Sequence, residues 1–133
     1  MSLRPSTILV YLFLALPVST LAQEPQETDP VVISPDQFTI LLENEHVRVV
    51  EYALDPGERD EWHTHPPKLS YVVSPGTLRI TTQNGESFLT EEVVGNAAWM
   101  DALGLHYAEN VGETRVRIIL VEVKAAWTPD AAR

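Results

Sequence analysis

The most constraining feature of this sequence is a series of short runs in which apolar residues recur at every second position. The runs lie at residues 47–54, 69–73, 78–80 and 116–122. Turn residues separate them, as at Asp55-Pro56-Gly57 and Ser74-Pro75-Gly76. Alternation of this kind is typical of strands with one buried face, and no stretch shows a convincing helical period. The pattern predicts an all-β fold, an antiparallel sandwich or a barrel.

One pair of residues gives the strongest local signal for a turn. Asn84-Gly85 lies between two strand-like runs. Both residue types tolerate the positive φ angles of a type I′ turn. We therefore predict a β-hairpin with a type I′ turn at this position.

Composition excludes several classes of function. The chain has 133 residues, a length typical of one domain, and it has no cysteine. Disulfide scaffolds, iron–sulfur clusters and cysteine-ligated zinc sites are therefore excluded. The formal net charge is −10, which repels phosphate backbones, so we expect no nucleic-acid partner.

The N-terminal stretch has the features of a targeting signal. Arg4 precedes an apolar run over residues 8–16 that Pro17 closes, and small residues end at Ala22. A membrane anchor is the alternative, but the run is well short of the roughly 20 residues that cross a bilayer. We predict a secretory signal peptide at residues 1–22 and a periplasmic or extracellular mature protein that is not bound to a membrane.

The rest of the chain divides by composition. Residues 23–36 hold three prolines and several acids, which predicts a flexible linker followed by an edge-strand lead-in. The β domain is expected at residues 37–125, and residues 126–133 are expected to form a C-terminal tail.

Three of the four histidines suggest a shared ligand. His63 and His65 are two positions apart, and on a strand this spacing points both imidazoles to the same face. His106 lies just before the last long strand, where a folded barrel can bring it over the first pair. Neutral imidazole is the commonest metal ligand in proteins. Three unrelated surface or core histidines remain the alternative, because His-x-His alone is a weak signal.

The residues around the histidines resemble the two motifs of the cupin superfamily. In the first motif, Gly57 is followed by five residues, by His63-Thr64-His65 and later by Gly76. The residues that resemble the second motif are Gly95, His106 and Asn110. The resemblance spans roughly residues 44 to 124. It implies a single jelly-roll β-barrel whose metal is held inside by His63, His65 and His106.

The match has departures. Where the first motif usually carries a glutamate ligand, this sequence has Leu69, and Asp101 and Leu103 replace a proline and a glycine of the second motif. Because Leu69 shares the strand parity of Tyr71 and Val73, we expect it to face inward and to pack against the metal chamber; the alternative is that Lys68 or Ser70 takes the inward place. Glu61 shares the strand face of His63 and is a candidate replacement ligand, with a solvated acid as the alternative. The candidates for the substrate pocket are Glu61, Leu69, Tyr71, Trp99 and Tyr107.

Two functions of different classes fit these features. In the first, the protein is a metalloenzyme of the dioxygenase, isomerase or lyase type, in which one divalent ion of iron, manganese, zinc, nickel or copper binds a small-molecule ligand. In the second, the domain binds a metabolite or metal without turnover. The resemblance also implies a homodimer, because small single-domain barrels of this family often pair by exchanging edge strands, which covers exposed strand edges.

Overall fold

The computed structural model describes residues 26–124, and almost all regular secondary structure in this part is β-strand. The elements are α1 (Pro30–Ile33), β1 (Phe38–Glu43), β2 (Val47–Leu54), β3 (His63–His65), β4 (Lys68–Ser74), β5 (Gly76–Thr82), β6 (Ser87–Glu92), β7 (Ala97–Met100), β8 (Leu103–Asn110) and β9 (Val116–Val123). No helix in this part of the chain is long and apolar enough to cross a membrane. The all-β prediction is confirmed.

The strands form two sheets that face each other. One sheet has the order β1-β2-β9-β4-β7 and the other has the order β3-β8-β5-β6. All strand pairs are antiparallel, and the longest ladder joins β2 to β9 with Val50 opposite Leu120. The sheets do not close into a continuous barrel, but their topology is that of a jelly roll, as the sequence predicts.

The core lies between the two sheets. Its residues are Phe38, Val50, Tyr52, Leu54, Val72, Leu78, Ala108, Val116, Ile118 and Leu120. In β9 the buried positions alternate with half-buried ones along the whole strand. This is the period-two pattern that the sequence shows, because successive side chains of a strand point to opposite faces.

The Asn84-Gly85 hairpin is confirmed, but its turn type is not. Gly85 has φ +85°, whereas no residue other than glycine has a positive φ in the described chain. The Gly85 amide donates to the Thr82 carbonyl and the Thr82 amide donates to the Glu86 carbonyl. This is a longer loop, a type I turn closed by a left-handed glycine, and it needs only one residue with positive φ.

The N-terminal segment packs against the fold beside β3. Asp29 caps the single turn of α1 by accepting from the Val31 amide. The Thr64 amide donates to the Thr28 carbonyl at 3.0 Å, and the Glu61 amide donates to the Ser34 hydroxyl at 3.0 Å. The lead-in therefore forms a helical turn that packs beside β3, whereas the sequence predicts an edge strand in this segment. The signal peptide at residues 1–22 and the tail at residues 126–133 lie outside the described residues.

Gly76 has a steric role at the start of β5. A Cβ atom at this position would lie 2.3 Å from Cγ2 of Val116, which is fully buried. Only glycine lets the two strands approach this closely. The later glycine of the first motif is thus explained by packing.

Asn110 ties the end of β8 to the end of β2 and to the loop that follows β8. Its side-chain nitrogen donates to the carbonyls of Leu54 and Thr114, each at 2.8 Å, and its side-chain oxygen accepts from the Gly112 amide at 3.0 Å. The residue is 1% exposed. Its role is structural, because all three bonds satisfy backbone groups.

The substitution Asn110→Ala tests this role. It leaves two carbonyls and one amide without their partner in the interior, so we expect a loss of about 2–4 kcal/mol in the free energy of unfolding. Urea denaturation measures the loss. The control is Asn96→Ala, at an exposed site, with an expected change within about 0.5 kcal/mol. Equal stability of the two variants would contradict the assignment.

Candidate metal centre

Strands β3 and β8 bring the three histidines together. His63 and His65 lie on β3, and His63 is the register partner of His106 on β8. One ring nitrogen from each histidine lies within 4.8 Å of the other two. All three side chains are buried. The convergence that the sequence predicts is present.

A hydrogen bond on the far side of each ring fixes its orientation. The Nδ1–H of His63 donates to the Glu61 carbonyl at 2.7 Å, and that of His106 donates to the Gly104 carbonyl at 2.7 Å. The Nδ1–H of His65 donates to the Glu122 carboxylate at 3.0 Å. Carbonyl and carboxylate oxygens accept and do not donate, so these partners place the hydrogen of each neutral ring on Nδ1.

Each Nε2 atom is therefore left with a free lone pair. The Nε2 atoms of His63 and His65 are 3.1 Å apart. Two nitrogens bound to one ion at about 2.1 Å lie roughly 3.0 to 3.4 Å apart, depending on the angle between the bonds. Two bare lone pairs at this distance repel each other unless a cation lies between them. The donor set therefore fits a divalent transition metal.

Burial keeps the rings neutral. It lowers the pKa of His63 to about 3, with a further contribution from His65. Burial lowers the pKa of His106 to about 4, against the raising effect of its bond to Gly104. The pKa of His65 is also lowered by burial, although its bond to Glu122 opposes the change. Neutral imidazole is the form that binds metals.

A buried ionic network stands behind His65. One oxygen of Glu122 accepts from His65, and the other accepts from Nε of Arg48 at 2.6 Å. Arg48 also donates twice to Asp29, at 2.8 and 2.9 Å. Burial alone raises the pKa of Glu122, but the bonds from His65 and Arg48 outweigh it and the pKa lies below its ordinary value. Glu122 is thus an ionised acceptor for His65.

Asp60 positions the strand that carries His63. Its carboxylate accepts from the Tyr52 hydroxyl and the Ala108 amide, each at 2.8 Å, and lies 3.5 Å from Nδ1 of His63. Burial raises the pKa of Asp60 to about 7, although the hydrogen bonds from Ala108 and Tyr52 oppose the change. The residue joins the histidine strand to both sheets.

The Nε2 atoms face a cavity of about 110 Å³ between the sheets. Its polar lining is His63, His65, His106, Tyr52, Lys68, Ser70, Thr90 and Glu92. Its apolar lining is Phe38, Leu78, Ile80, Phe88, Met100, Leu103, Ala108, Ile118 and Leu120. The apolar walls lower the local dielectric, which strengthens electrostatic interactions beside them.

The inward orientation predicted for Leu69 is wrong. Leu69 is 38% exposed and Tyr71 is 45% exposed, whereas Lys68 and Ser70 line the cavity. Trp99, the register partner of Leu69 on β7, is 58% exposed. These three side chains lie on the outer face of the large sheet and do not line the cavity.

The other two pocket candidates also lie off the cavity. The Glu61 side chain is 65% exposed, and only its backbone carbonyl serves the site. Tyr107 packs edge-on against Trp62, with a ring-centroid distance of 4.7 Å, and Arg59 lies 4.2 Å above its ring. Tyr107 faces away from His106, as its neighbouring position on β8 requires.

Sequence reasoning missed Glu122, Lys68 and Asp60. The inward orientation of Glu122 could have been predicted, because it has the same strand parity as Ile118 and Leu120, which are buried. An acid at an inward position needs a partner. For Lys68 the sequence predicts the wrong orientation, because a charged residue next to Leu69 is expected to face solvent.

Solved structures with a similar fold include cupins. A cupin domain from Bordetella pertussis superposes with a TM-score of 0.61 and 26% sequence identity, covering 66% of this chain and 92% of that one. An RmlC-like cupin family protein with a double-stranded β-helix fold from Methanocaldococcus jannaschii gives a TM-score of 0.54 at 17% identity, covering 65% and 77%. The second likeness concerns the fold alone.

A third similar structure is an uncharacterised conserved protein with a double-stranded β-helix domain from Klebsiella pneumoniae. It gives a TM-score of 0.53 at 23% identity and covers 77% of this chain and 84% of that one. No family model and no curated protein matches the sequence.

The substitution Glu122→Gln tests the acceptor behind His65. It removes the negative charge that holds both the His65 ring and Arg48, so we expect metal affinity to fall about 10–100-fold. Calorimetric titration of the metal-free protein with zinc measures the affinity. Glu43→Gln is the matched control, because Glu43 pairs with Lys124 at the surface. Unchanged zinc affinity in Glu122→Gln would remove Glu122 from the centre.

A second pair of variants tests the orientation of β4. Ser70→Glu adds a carboxylate to the cavity wall, and we expect zinc affinity to rise by roughly tenfold, because a nearby opposite charge stabilises the ion. Leu69→Glu adds the same group on the outer face, where we expect no change. The same titration compares them. Tighter binding by Leu69→Glu alone would reverse the assignment of inner and outer positions.

Proposed function

This chain is a cupin in its fold and in its three converging histidines, and we propose that it is a metalloenzyme acting on a small organic molecule. The substrate would bind in the cavity between the two sheets. His63, His65 and His106 would hold one divalent ion of iron, manganese, zinc, nickel or copper. The proposed reaction is of the dioxygenase, isomerase or lyase type.

The convergence of three free Nε2 lone pairs on one cavity carries this proposal. Each ring has its Nδ1–H committed to a fixed acceptor, so the free nitrogens need not reorganise to bind an ion. Three protein ligands leave further positions of an ion open, and such open sites are typical of catalytic metals. A structural site would use all its positions for protein groups.

The chain's own residues supply binding and exclusion of water. A bound divalent ion would polarise an oxygen of its ligand or undergo a redox change. Leu78, Ile80 and Ile118 contribute apolar wall to the cavity and keep bulk water from it. Glu122 keeps the His65 ring in place while a substrate enters. The cavity volume of about 110 Å³ restricts the substrate to a small molecule.

The expected export and homodimer belong to the same proposal. The features of residues 1–22 support export, since they have the order of a secretory signal peptide. The homodimer is supported by β7, an edge strand of the large sheet on which Trp99 is 58% exposed and Met100 is 39% exposed. Sedimentation of the purified protein measures the oligomeric state.

Metal analysis combined with oxygen uptake tests the proposed function. The protein is purified without chelator, and its bound metal is identified by mass spectrometry. The metal is then removed, and Fe(II), Mn(II) or Zn(II) is added back. We expect consumption of oxygen or conversion of a substrate only with metal, within a panel of small phenolic, thiol and amino-acid-derived acids.

Two histidine variants control the experiment. His106→Ala should lose most of the bound metal and the turnover but keep the fold, whereas His46→Ala should keep both, because the His46 side chain is 75% exposed. Full metal retention in His106→Ala would contradict the three-histidine centre. Metal-dependent binding of a small molecule without turnover would favour the non-catalytic alternative.

A further inference from the structure

Lys68 is buried at the wall of the cavity. It begins β4, on the face of the large sheet that meets the small sheet, and it is 3% exposed. It lines the same cavity as the three histidines. Lysine is almost never this buried unless its ammonium is paired, so its place requires an explanation.

The Lys68 ammonium has no partner within residues 26–124. It is absent from the hydrogen bonds and ion pairs of this part of the chain, so no carboxylate oxygen lies within 4.0 Å of Nζ. Every fully enclosed side-chain nitrogen or oxygen there has a partner. An ammonium without one must therefore touch open space. For a side chain that is 97% buried, that space is the cavity.

The charge of Lys68 reaches the metal centre. It contributes to lowering the pKa of all three histidines. Burial lowers the pKa of Lys68 itself to about 8, against the raising effect of Glu122. The amine thus remains mostly protonated at neutral pH.

Neighbouring acids do not neutralise this charge. Glu122 is the register partner of Lys68, but its two oxygens accept from His65 and Arg48. Glu92 also lines the cavity, and there it accepts from the Thr90 hydroxyl at 2.9 Å. The ammonium therefore faces the cavity as a positive charge with free hydrogen-bond donors.

We propose that Lys68 binds the carboxylate of a small organic monoacid whose apolar part lies against the cavity wall. The inference rests on the proposed function for the small-molecule occupant, and it adds the chemical class of that molecule. Lys68 would thereby determine specificity. The carboxylate would complete the hydrogen bonding of the ammonium, and the apolar wall would contact the hydrocarbon.

The surroundings favour a monoacid over other ligands. A single ammonium balances one negative charge, and because Glu92 also lines the cavity, a phosphate dianion would bring excess negative charge into a buried space. A neutral ligand would leave the ammonium without an ionic partner. The wall opposite, with Leu78, Ile80 and Phe88, suits a hydrocarbon group.

The two lysines of the sequence make a direct test possible. Lys68 and Lys124 are the only lysines, so protein labelled with ¹³C-lysine gives two sets of Cε signals, which single substitutions assign. The probe is butyrate, added to the metal-free and the zinc-loaded full-length protein. We expect saturable movement of the Lys68 signal in both forms and no movement of the Lys124 signal. Butyramide, which has the same shape without the charge, should leave both signals in place.

Matched variants measure the contribution to affinity. Lys68→Met keeps the length of the side chain but removes its charge, and we expect butyrate binding to weaken by roughly tenfold or more, as for loss of a charged hydrogen bond. Lys124→Met should bind as the unchanged protein does. Lys68→Arg, which keeps the charge, should retain part of the affinity.

Several results would overturn the inference. These are a Lys68 signal that does not respond to propionate, butyrate, isovalerate or benzoate, an equal response to chloride or butyramide, and unchanged butyrate affinity in Lys68→Met. Failure of the two proposals can be told apart. Zinc binding without a Lys68 response rejects the monoacid but keeps the metal centre. A Lys68 response without zinc binding rejects the metal centre but keeps the monoacid.

Discussion

The orientation of the three imidazole rings depends on the acceptors behind them, and the rest of the site depends on that orientation. His63 and His106 use the carbonyl two positions earlier in their own chain segment, Glu61 and Gly104. These contacts are local and form once β3 and β8 are extended. His65 differs, because its acceptor is a carboxylate 57 positions away in the sequence. The geometry of the centre therefore requires the completed sheet around β9.

The charges around the cavity determine which ligands the site favours. Three neutral histidines do not reduce the charge of a divalent ion, and Lys68 adds a further positive charge to the same cavity. Glu122 acts from behind His65 and does not replace the carboxylate ligand that the first motif usually carries. Lys68 and Glu92 contribute one charge of each sign to the cavity, so a bound divalent ion would make it net positive and attractive to anions, although the chain as a whole has a net charge of −10. A cation binds less tightly there than it would beside a carboxylate ligand.

The sequence was sufficient for the fold and the histidines but not for the inner wall of the cavity. Strand periodicity and turn residues predict the sheets, and the spacing of the two motifs predicts that His106 meets His63 and His65. The orientation of β4 could not be read from polarity. Its apolar residues Leu69 and Tyr71 cover the outer face of the large sheet, whereas Lys68 and Ser70 line the cavity. The rule that apolar residues point inward holds for Val72 farther along β4, which is 2% exposed, but it fails where this strand lines the cavity with Lys68 and Ser70.

The same network links the metal centre to the N-terminal segment. Arg48 shares its guanidinium between Glu122 and Asp29, the residue that caps α1. Thr28 also bonds to Thr64, which lies between the two histidines of β3. A cation on His65 favours ionised Glu122, which in turn holds Arg48 where Asp29 can bind it. A metal ion on His65 would therefore be coupled to docking of the segment through Glu122 and Arg48, and such linkage between two sites is reciprocal. The segment before β1 belongs to the architecture of the centre, although its sequence alone is typical of a linker.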